Sequence, residues 1–558
     1  MTATQPGPAA PAAHLASPEL NPSFTKSVFL GELREDLVFP FPAMTREEQE
    51  SLDMMLDSFR AFAADHVDSA RFDHDGQFPR ETLDALHALG VMGLSMPEEY
   101  GGFGASAQLY SRFFGEIAAT DPALCVYFGA HQSIGCKGLV LFGTDEQKRR
   151  YLPRCASGEL IAAFCLTEPG SGSDAQAMKT TAVLSDDGSH YLLSGTKIWI
   201  SNAGYADLLT VFAKVAVDVG GTMKERVTAF MVDAHAPGVT LGKREEKMGI
   251  KASDTRTVFF DKVRVPVDDR LGDVGQGFRI APEVLNSGRL GLAAGSAHGA
   301  RHILREAIAY AKQREQFGKP IASFEMIQRK IAVAAAEIYA IDSAVVLAAG
   351  MVDRGGIDFS LETAACKVFA SELAFRASND AMQIAGGIGY SKEYPYEQAV
   401  RDSRINLIFE GTNEVLRALI ALMGLQQPGE RLKKLGAAFK DPIHSLGAIG
   451  TFLAGRARRT VRSPRFTQVH ELLEREASLV ERLVHDLALA VEDVLFKHGK
   501  AIIERQFLQE RMANAAIDIF LATAVLSRTT AALERAGADG ARAELDCARV
   551  FVPMAYRR

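Results

Sequence analysis

Thr257-Val258-Phe259-Phe260-Asp261-Lys262-Val263-Arg264-Val265 ends in an alternation of apolar and polar side chains. A two-residue period puts alternate side chains on opposite faces, the mark of a strand with one buried side. Tyr191–Ser194, Leu208–Ala213 and Val227–Val232 are also short and rich in β-branched or aromatic residues, and Gly, Asp and Pro separate them. Residues 163–276 therefore read as a compact antiparallel sheet or barrel.

Helical patterns lie on both sides of it. From Thr45 to Ala162, segments such as Glu47–Ala64 and Glu81–Leu89 repeat apolar residues at three- and four-residue intervals, the period of a helix with one buried face. Pro97-Glu98-Glu99-Tyr100-Gly101-Gly102 interrupts them as a turn. Between residues 277 and 425, Leu290–Arg314, Glu325–Asp353 and Ser360–Ala385 are long enough for an antiparallel bundle. Pro428 and Gly429 mark a boundary, so 426–466 reads as a linker. Gln468–Lys497 and Ala501–Ala536 form an extra helical domain over 467–558. Residues 1–22 are rich in Ala and Pro and contain no Lys or Arg. Such a segment buries too little apolar surface to order itself, and 1–44 is expected to be a disordered or extended tail. The expected fold class is α+β, mainly α, in the order helical domain (45–162), sheet domain (163–276), helical bundle (277–425) and extra helices.

Composition narrows the function. The 558 residues exceed what one core organises, and 47% apolar with 23% charged is ordinary for a globular protein. A formal charge of -7 speaks against nucleic acid as a partner. The six cysteines are scattered without a CxxC pair, so no disulfide framework or zinc site is expected. His298 and His302 share a helical face, but Gly299, Ala300 and Arg301 between them offer no acidic partner, and no metal is expected. The N-terminus lacks the features of a signal or presequence, and no apolar run of about 20 residues predicts a spanning helix. A cytoplasmic, bacterial-type protein is the expectation.

Five separated segments carry chemistry. Phe164-Cys165-Leu166-Thr167-Glu168-Pro169-Gly170-Ser171-Gly172-Ser173-Asp174 has small residues that let backbone N–H groups approach a phosphate; its plain alternative is a loop. Lys197-Ile198-Trp199-Ile200-Ser201-Asn202 holds the one tryptophan of the chain, either a core aromatic or a flat ring for a flavin. Arg314-Glu315-Gln316-Phe317-Gly318-Lys319-Pro320 offers a guanidinium suited to a pyrophosphate, or to water. Gln383-Ile384-Ala385-Gly386-Gly387-Ile388-Gly389-Tyr390 is at least a helix C-cap. Ile408-Phe409-Glu410-Gly411-Thr412-Asn413-Glu414 sets a carboxylate among apolar neighbours, which disfavour the charged form and make a stronger base.

Taken together, in this order and layout, these segments resemble the acyl-CoA dehydrogenase family from about Phe39 to Leu425. The C-terminal extension and Gly129-Ala130-His131-Gln132-Ser133-Ile134-Gly135 resemble its very-long-chain branch. The resemblance implies FAD. It places Phe164, Leu166 and Thr167 against the flavin ring, Ser173 by the pyrophosphate and in reach of substrate, and Trp199 and Ser201 over the ring. Arg314, Phe317, Gln383 and Gly387 would hold the FAD of a second subunit, and Thr412 and Glu414 that of their own, implying a homodimer. Asn286, Arg289 and Gly411 match substrate-contacting positions. Some branches carry the base beside that arginine, where this chain has Gly288, which leaves Glu410 as the matching base.

The implied reaction removes an α-proton to Glu410 and a β-hydride to the flavin, converting a long-chain or very-long-chain acyl-CoA to the trans-2-enoyl-CoA of fatty acid β-oxidation. Electrons would pass to an electron-transfer flavoprotein. The rival readings are an acyl-CoA oxidase, which passes electrons to oxygen, and a scaffold or assembly factor that retains the fold. Gly135 and Gly138 are expected either to serve tight helix packing or to open the base of a tunnel for a long acyl chain. Residues 443–465, mildly apolar and then rich in Arg, form a candidate membrane-surface segment, with a solvated linker as the alternative.

Overall fold

Helix starts follow the caps that the sequence supplies. Thr45 and Glu48 close a reciprocal capping box, as do Thr144 and Gln147, and Ser23, Asp68, Ser106 and Asp121 each accept an orphan N–H. The computed structural model describes residues 21–440 and 464–558. Helices α1 (Phe24–Val28), α2 (Glu35–Val38), α3 (Arg46–His66), α4 (Ser69–Asp75), α5 (Arg80–Ala88), α6 (Ala107–Thr120), α7 (Pro122–Gly129), α8 (Lys137–Phe142) and α9 (Asp145–Ala156) come first. A π-helical turn, Ala130–Cys136, joins α7 to α8. The strands are β1 (Ala162–Cys165), β2 (Thr181–Leu184), β3 (His190–Ser201), β4 (Leu208–Asp218), β5 (Met223–Asp233), β6 (Val239–Arg244), β7 (Thr255–Pro266) and β8 (Arg270–Leu271). After them come α10 (Gly277–Gln313), the small hairpin β9 (Glu315–Gln316) and β10 (Lys319–Pro320), α11 (Glu325–Arg354), α12 (Ser360–Ala385), α13 (Pro395–Arg404) and α14 (Asn413–Lys440). The extension is α15 (Glu474–His498), α16 (Gln506–Gly540) and α17 (Arg542–Arg557).

The chain divides into two compact units. One comprises residues 44–307 and 374–410. Its helical core gathers Phe59, Phe113 and Phe128, with Phe59 meeting Phe113 edge-on at 5.6 Å. The sheet runs β6-β7-β3-β2-β4-β5-β8, and β1 pairs with β4 in parallel. The long pairs are antiparallel, β4 with β5 and β3 with β7. In Thr257–Val265, Val258 and Phe260 are buried with Phe259 exposed, and Val263 and Val265 are buried one phase later; the shift falls at a β3–β7 register irregularity where Lys262 takes φ 49°.

The other unit comprises residues 1–43, 308–373 and 411–558. Helix α16 packs on α11, α14, α15 and α17. Among the described residues, two of its helices, α11 and α16, are long and apolar enough to cross a membrane, against the sequence expectation of none. Their apolar windows are largely buried within the protein, as those of core helices are.

Two expected boundaries are corrected in this unit. The tail expected over 1–44 is folded from Ser23: Phe24 meets Phe520 at 6.2 Å, Lys26 pairs with Asp358 at 2.6 Å, and Arg354 binds the Leu37 carbonyl. The reason is that Phe24, Val28, Leu37 and Val38 find a surface to bury against. The linker expected from residue 426 is instead helix to Lys440. A proline removes one helical hydrogen bond, and the buried Leu416, Ile420 and Leu425 carry α14 through Pro428. Apart from its last two residues, the segment 443–465 lies outside the described residues.

Candidate active site

Helix α13 ends at Arg404, and a tight turn over Ile405–Leu407 leads to Glu410. Glu410 has φ 59° and Gly411 φ 91°. A non-glycine residue in this region costs roughly 1–2 kcal/mol, so its surroundings must impose it. Part of that constraint comes from α10, where Arg289 donates through Nε to the Glu410 carbonyl at 3.3 Å and through Nη1 to Asn286 Oδ1 at 3.0 Å. Arg289 is 7% exposed and Asn286 6%. Burial lowers the affinity of the Arg289 guanidinium for its proton, and the neighbouring Glu410 opposes that shift.

The carboxylate of Glu410 rests on Gly288. A Cβ placed on Gly288 would stand 2.8 Å from Glu410 Oε2 and 3.0 Å from Cδ. Gly288 is therefore more than a position without a base, because its missing side chain is the space that the Glu410 carboxylate fills. The sequence offered no signal for this, since the contact joins segments more than a hundred residues apart.

A second cluster lies where β1 leaves the sheet. Lys197, fully buried on β3, donates to the Leu166 carbonyl at 3.0 Å and to Glu168 Oε1 at 2.7 Å. Ile198 N donates to the Thr167 carbonyl at 2.9 Å. The Glu168 carboxylate also accepts Lys179 N and Thr180 N. Burial acts against its charge, but the bonds from Lys197 and the amides outweigh this and hold the carboxyl below the usual range. Sequence reasoning missed both residues; an ionisable lysine between apolar strand positions was the available signal. The register of β3 against β7 shifts between Lys197 and Ile200, and Trp199 has φ 58° and is 57% exposed. This bulge turns the ring outward, so core packing is not its role. Ser201 closes β3 opposite Thr255, and Phe164 packs edge-on against Phe212 at 5.1 Å. Glu168 and Ser171 exchange backbone hydrogen bonds, leaving Ser173 exposed in the loop.

The remaining residues fall out by position. Gln383 and Gly387 are exposed at the end of α12, where Gly386 at φ 64° forms the C-cap. In the other unit, Arg314 is exposed after α10, and Phe317, 94% exposed at φ 54°, tips the β9–β10 hairpin. Thr412 Oγ1 accepts Val415 N at 3.3 Å, and Glu414 is exposed in the first turn of α14. Of the two readings given for Gly135 and Gly138, the surroundings favour tight packing. A Cβ on Gly135 would stand 2.6 Å from the Ala130 carbonyl oxygen and 2.8 Å from Ala162 Cβ, and one on Gly138 3.1 Å from Leu271. Close neighbours are enough to call for a glycine at each. His298, considered for a metal, packs its ring on Gly115.

Comparison with known proteins agrees with this layout. Residues 49–159, 163–263 and 275–424 match the acyl-CoA dehydrogenase N-terminal, middle and C-terminal domain profiles, and 471–558 matches the ACAD9/ACADV C-terminal domain. The human mitochondrial very long-chain specific acyl-CoA dehydrogenase is 43% identical over 518 residues, 92% of this chain and 79% of the relative. An acyl-CoA dehydrogenase from Bacillus anthracis complexed with FAD superposes with a TM-score of 0.82 at 31% identity, covering 95% of this chain and 90% of that one. Butyryl-CoA dehydrogenase from Megasphaera elsdenii gives a TM-score of 0.63 at 38% identity, over 67% of this chain and 97% of its own.

Proposed function

The chain belongs to the acyl-CoA dehydrogenase family of FAD-dependent oxidoreductases, and we propose that Glu410 is its catalytic base, acting on long-chain or very-long-chain acyl-CoA. The observation that carries this reading is the Glu410 carboxylate seated on bare Gly288, beside buried Arg289 and Asn286.

The residues present fit FAD. An outward Trp199 ring suits a flat heterocycle, and at Gly170 and Gly172 the space a Cβ would take is open, as close approach of a phosphate requires. Thr167, Leu166 and Phe164 stand on the segment that Lys197 and Ile198 tie to the Trp199 strand. Arg314 and Phe317, proposed for the FAD of a second subunit, present an exposed guanidinium and ring. When bound, FAD accepts the hydrogen and electron pair that leave the β-carbon.

What the protein contributes is position and charge. Glu410 takes the α-proton, and its left-handed backbone fixes where the carboxylate points. The Glu410 N–H is the proposed donor to the thioester oxygen, stabilising the charge that grows there as the proton departs. Asn286, Arg289, Gly411 and Ser173 are the proposed substrate contacts. The product is a trans-2-enoyl-CoA. The reading extends to an electron-transfer flavoprotein as acceptor, a homodimer, and a cytoplasmic location with membrane contact through 443–465, for which vesicle co-sedimentation at low and high salt is the assay.

The test of the base is Glu410→Gln. It should retain FAD yet slow flavin bleaching by acyl-CoA by ~10²–10⁴-fold or more, measured without oxygen by rapid mixing over a series of acyl lengths. Bleaching near the wild-type rate would remove Glu410 from the role. Reoxidation of the bleached wild-type enzyme by air would favour oxidase chemistry over an acceptor protein.

A further inference from the structure

Lys367 on α12 is 0% exposed. Its Nζ donates to the Gly411 carbonyl at 2.8 Å and to Asn413 Oδ1 at 2.8 Å. Asn413 is the first residue of α14 and is itself bound on every side. Its Nδ2 reaches Ser371 Oγ at 3.1 Å and Glu372 Oε1 at 3.1 Å, and Arg417 holds Glu372 at 2.7 Å. This is an expensive place for an ammonium. It is buried, and it stands at a helix N-terminus, where the macrodipole disfavours a cation. A neutral donor would satisfy the Gly411 carbonyl and the Asn413 amide at less cost. What the charge adds is strength, because hydrogen bonds from an ionised donor are roughly twice as strong as neutral ones.

The residue held in this way is the one that follows Glu410. Glu410 and Gly411 are consecutive left-handed residues, a turn with few favourable ways to relax and therefore one that needs clamping. We propose that Lys367 is a positioning residue for the base. Its ammonium fixes the Gly411 carbonyl and the start of α14, and so sets the direction in which the chain presents Glu410. The inference rests on Glu410 being the base.

The test compares full-length wild type, Glu410→Gln, Lys367→Met and Asn413→Ala, each as the FAD-loaded protein. Methionine keeps the unbranched stem and removes the ammonium; Asn413→Ala leaves the lysine and removes one of its acceptors. In Lys367→Met the FAD content should match wild type and KM should change little. The rate of flavin bleaching should fall about 10–100-fold, the scale of a sub-ångström to ångström misplacement of a catalytic group. The isotope effect with α-deuterated acyl-CoA should rise, and exchange of the α-proton with D2O should slow in step. Asn413→Ala should change the same quantities in the same direction. Wild-type bleaching and isotope effect in Lys367→Met, while Glu410→Gln is inactive, would overturn the inference and leave the base assignment standing. Loss of FAD in both variants would also overturn it, by making Lys367 a folding residue. Wild-type bleaching in Glu410→Gln would instead sink the base assignment on which the inference rests.

Discussion

Gly288→Ala should separate activity from stability. The new Cβ would stand 2.8 Å from Glu410 Oε2, whereas ordinary contact begins at 3.4 Å. The carboxylate must therefore retreat by about 0.6 Å, the difference of those two distances. It is the far end of a flexible side chain, so the backbone of α10 can stay in place. A shift of 1 Å in a catalytic group costs about 10²-fold, so flavin bleaching should slow roughly 10- to 100-fold, about 1.4–2.7 kcal/mol of barrier. Position 288 lies inside α10, where glycine is worse than alanine by roughly 0.5–1 kcal/mol. Thermal unfolding should accordingly rise slightly or hold while the rate falls. Rapid-mixing bleaching without oxygen and calorimetry on the same preparation supply both readouts. An unchanged rate would refute the placement of the carboxylate over Gly288. A drop in stability together with the rate would mean that the backbone, not the Glu410 side chain, absorbs the new methyl group.

Gly135→Ala places a Cβ against the Ala130 carbonyl oxygen and Ala162, and such overpacking costs ~1–3 kcal/mol; activity should fall equally for medium and long acyl-CoA, and a loss confined to long chains would restore the tunnel reading. Lys197→Met leaves Glu168 buried without its cation and should destabilise by about 3–5 kcal/mol, with Lys197→Met/Glu168→Gln recovering much of it in a denaturant double-mutant cycle; additive losses would contradict the coupling. Glu362 is buried, accepts Ser23 Oγ at 2.9 Å and Thr25 N at 2.8 Å, and burial pushes its carboxyl up to about 7. Because this lies above the unfolded value near 4.5, its stabilising contribution is full below that pH and is lost as pH rises through about 7. Glu362→Gln should gain up to roughly 3 kcal/mol over wild type at pH 8 and little at pH 4, read as unfolding midpoints; an equal difference at both would show that titration is not the cause.

The sequence by itself determined what local rules determine. The alternation in Val263-Arg264-Val265 placed a strand face, and apolar spacing placed α3, α11 and α12 to within about two residues, because one buried face imposes a period on any segment that folds against a core. The helical pattern that stops at Ala536 ends one residue before Gly537, which takes φ 68° and breaks the helical backbone inside α16. The Glu410 turn was also legible, as a carboxylate among apolar neighbours. Local rules failed where a distant partner decides. Phe24 and Val28 read as a tail because the surface that buries them belongs to residues hundreds of positions away, and Pro428 reads as a stop until the buried face of α14 carries the helix through it. Trp199 could be core or exposed until the β3 bulge set its direction. The site lies furthest from local reading. Arg289 and Glu410 are 121 residues apart, and neither sequence neighbourhood contains the fact that the side chain absent at 288 is the room occupied by the carboxylate of 410. Periodicity is a property of one segment facing a generic apolar interior, whereas catalytic geometry is a property of two particular segments meeting, and only the folded chain brings them together.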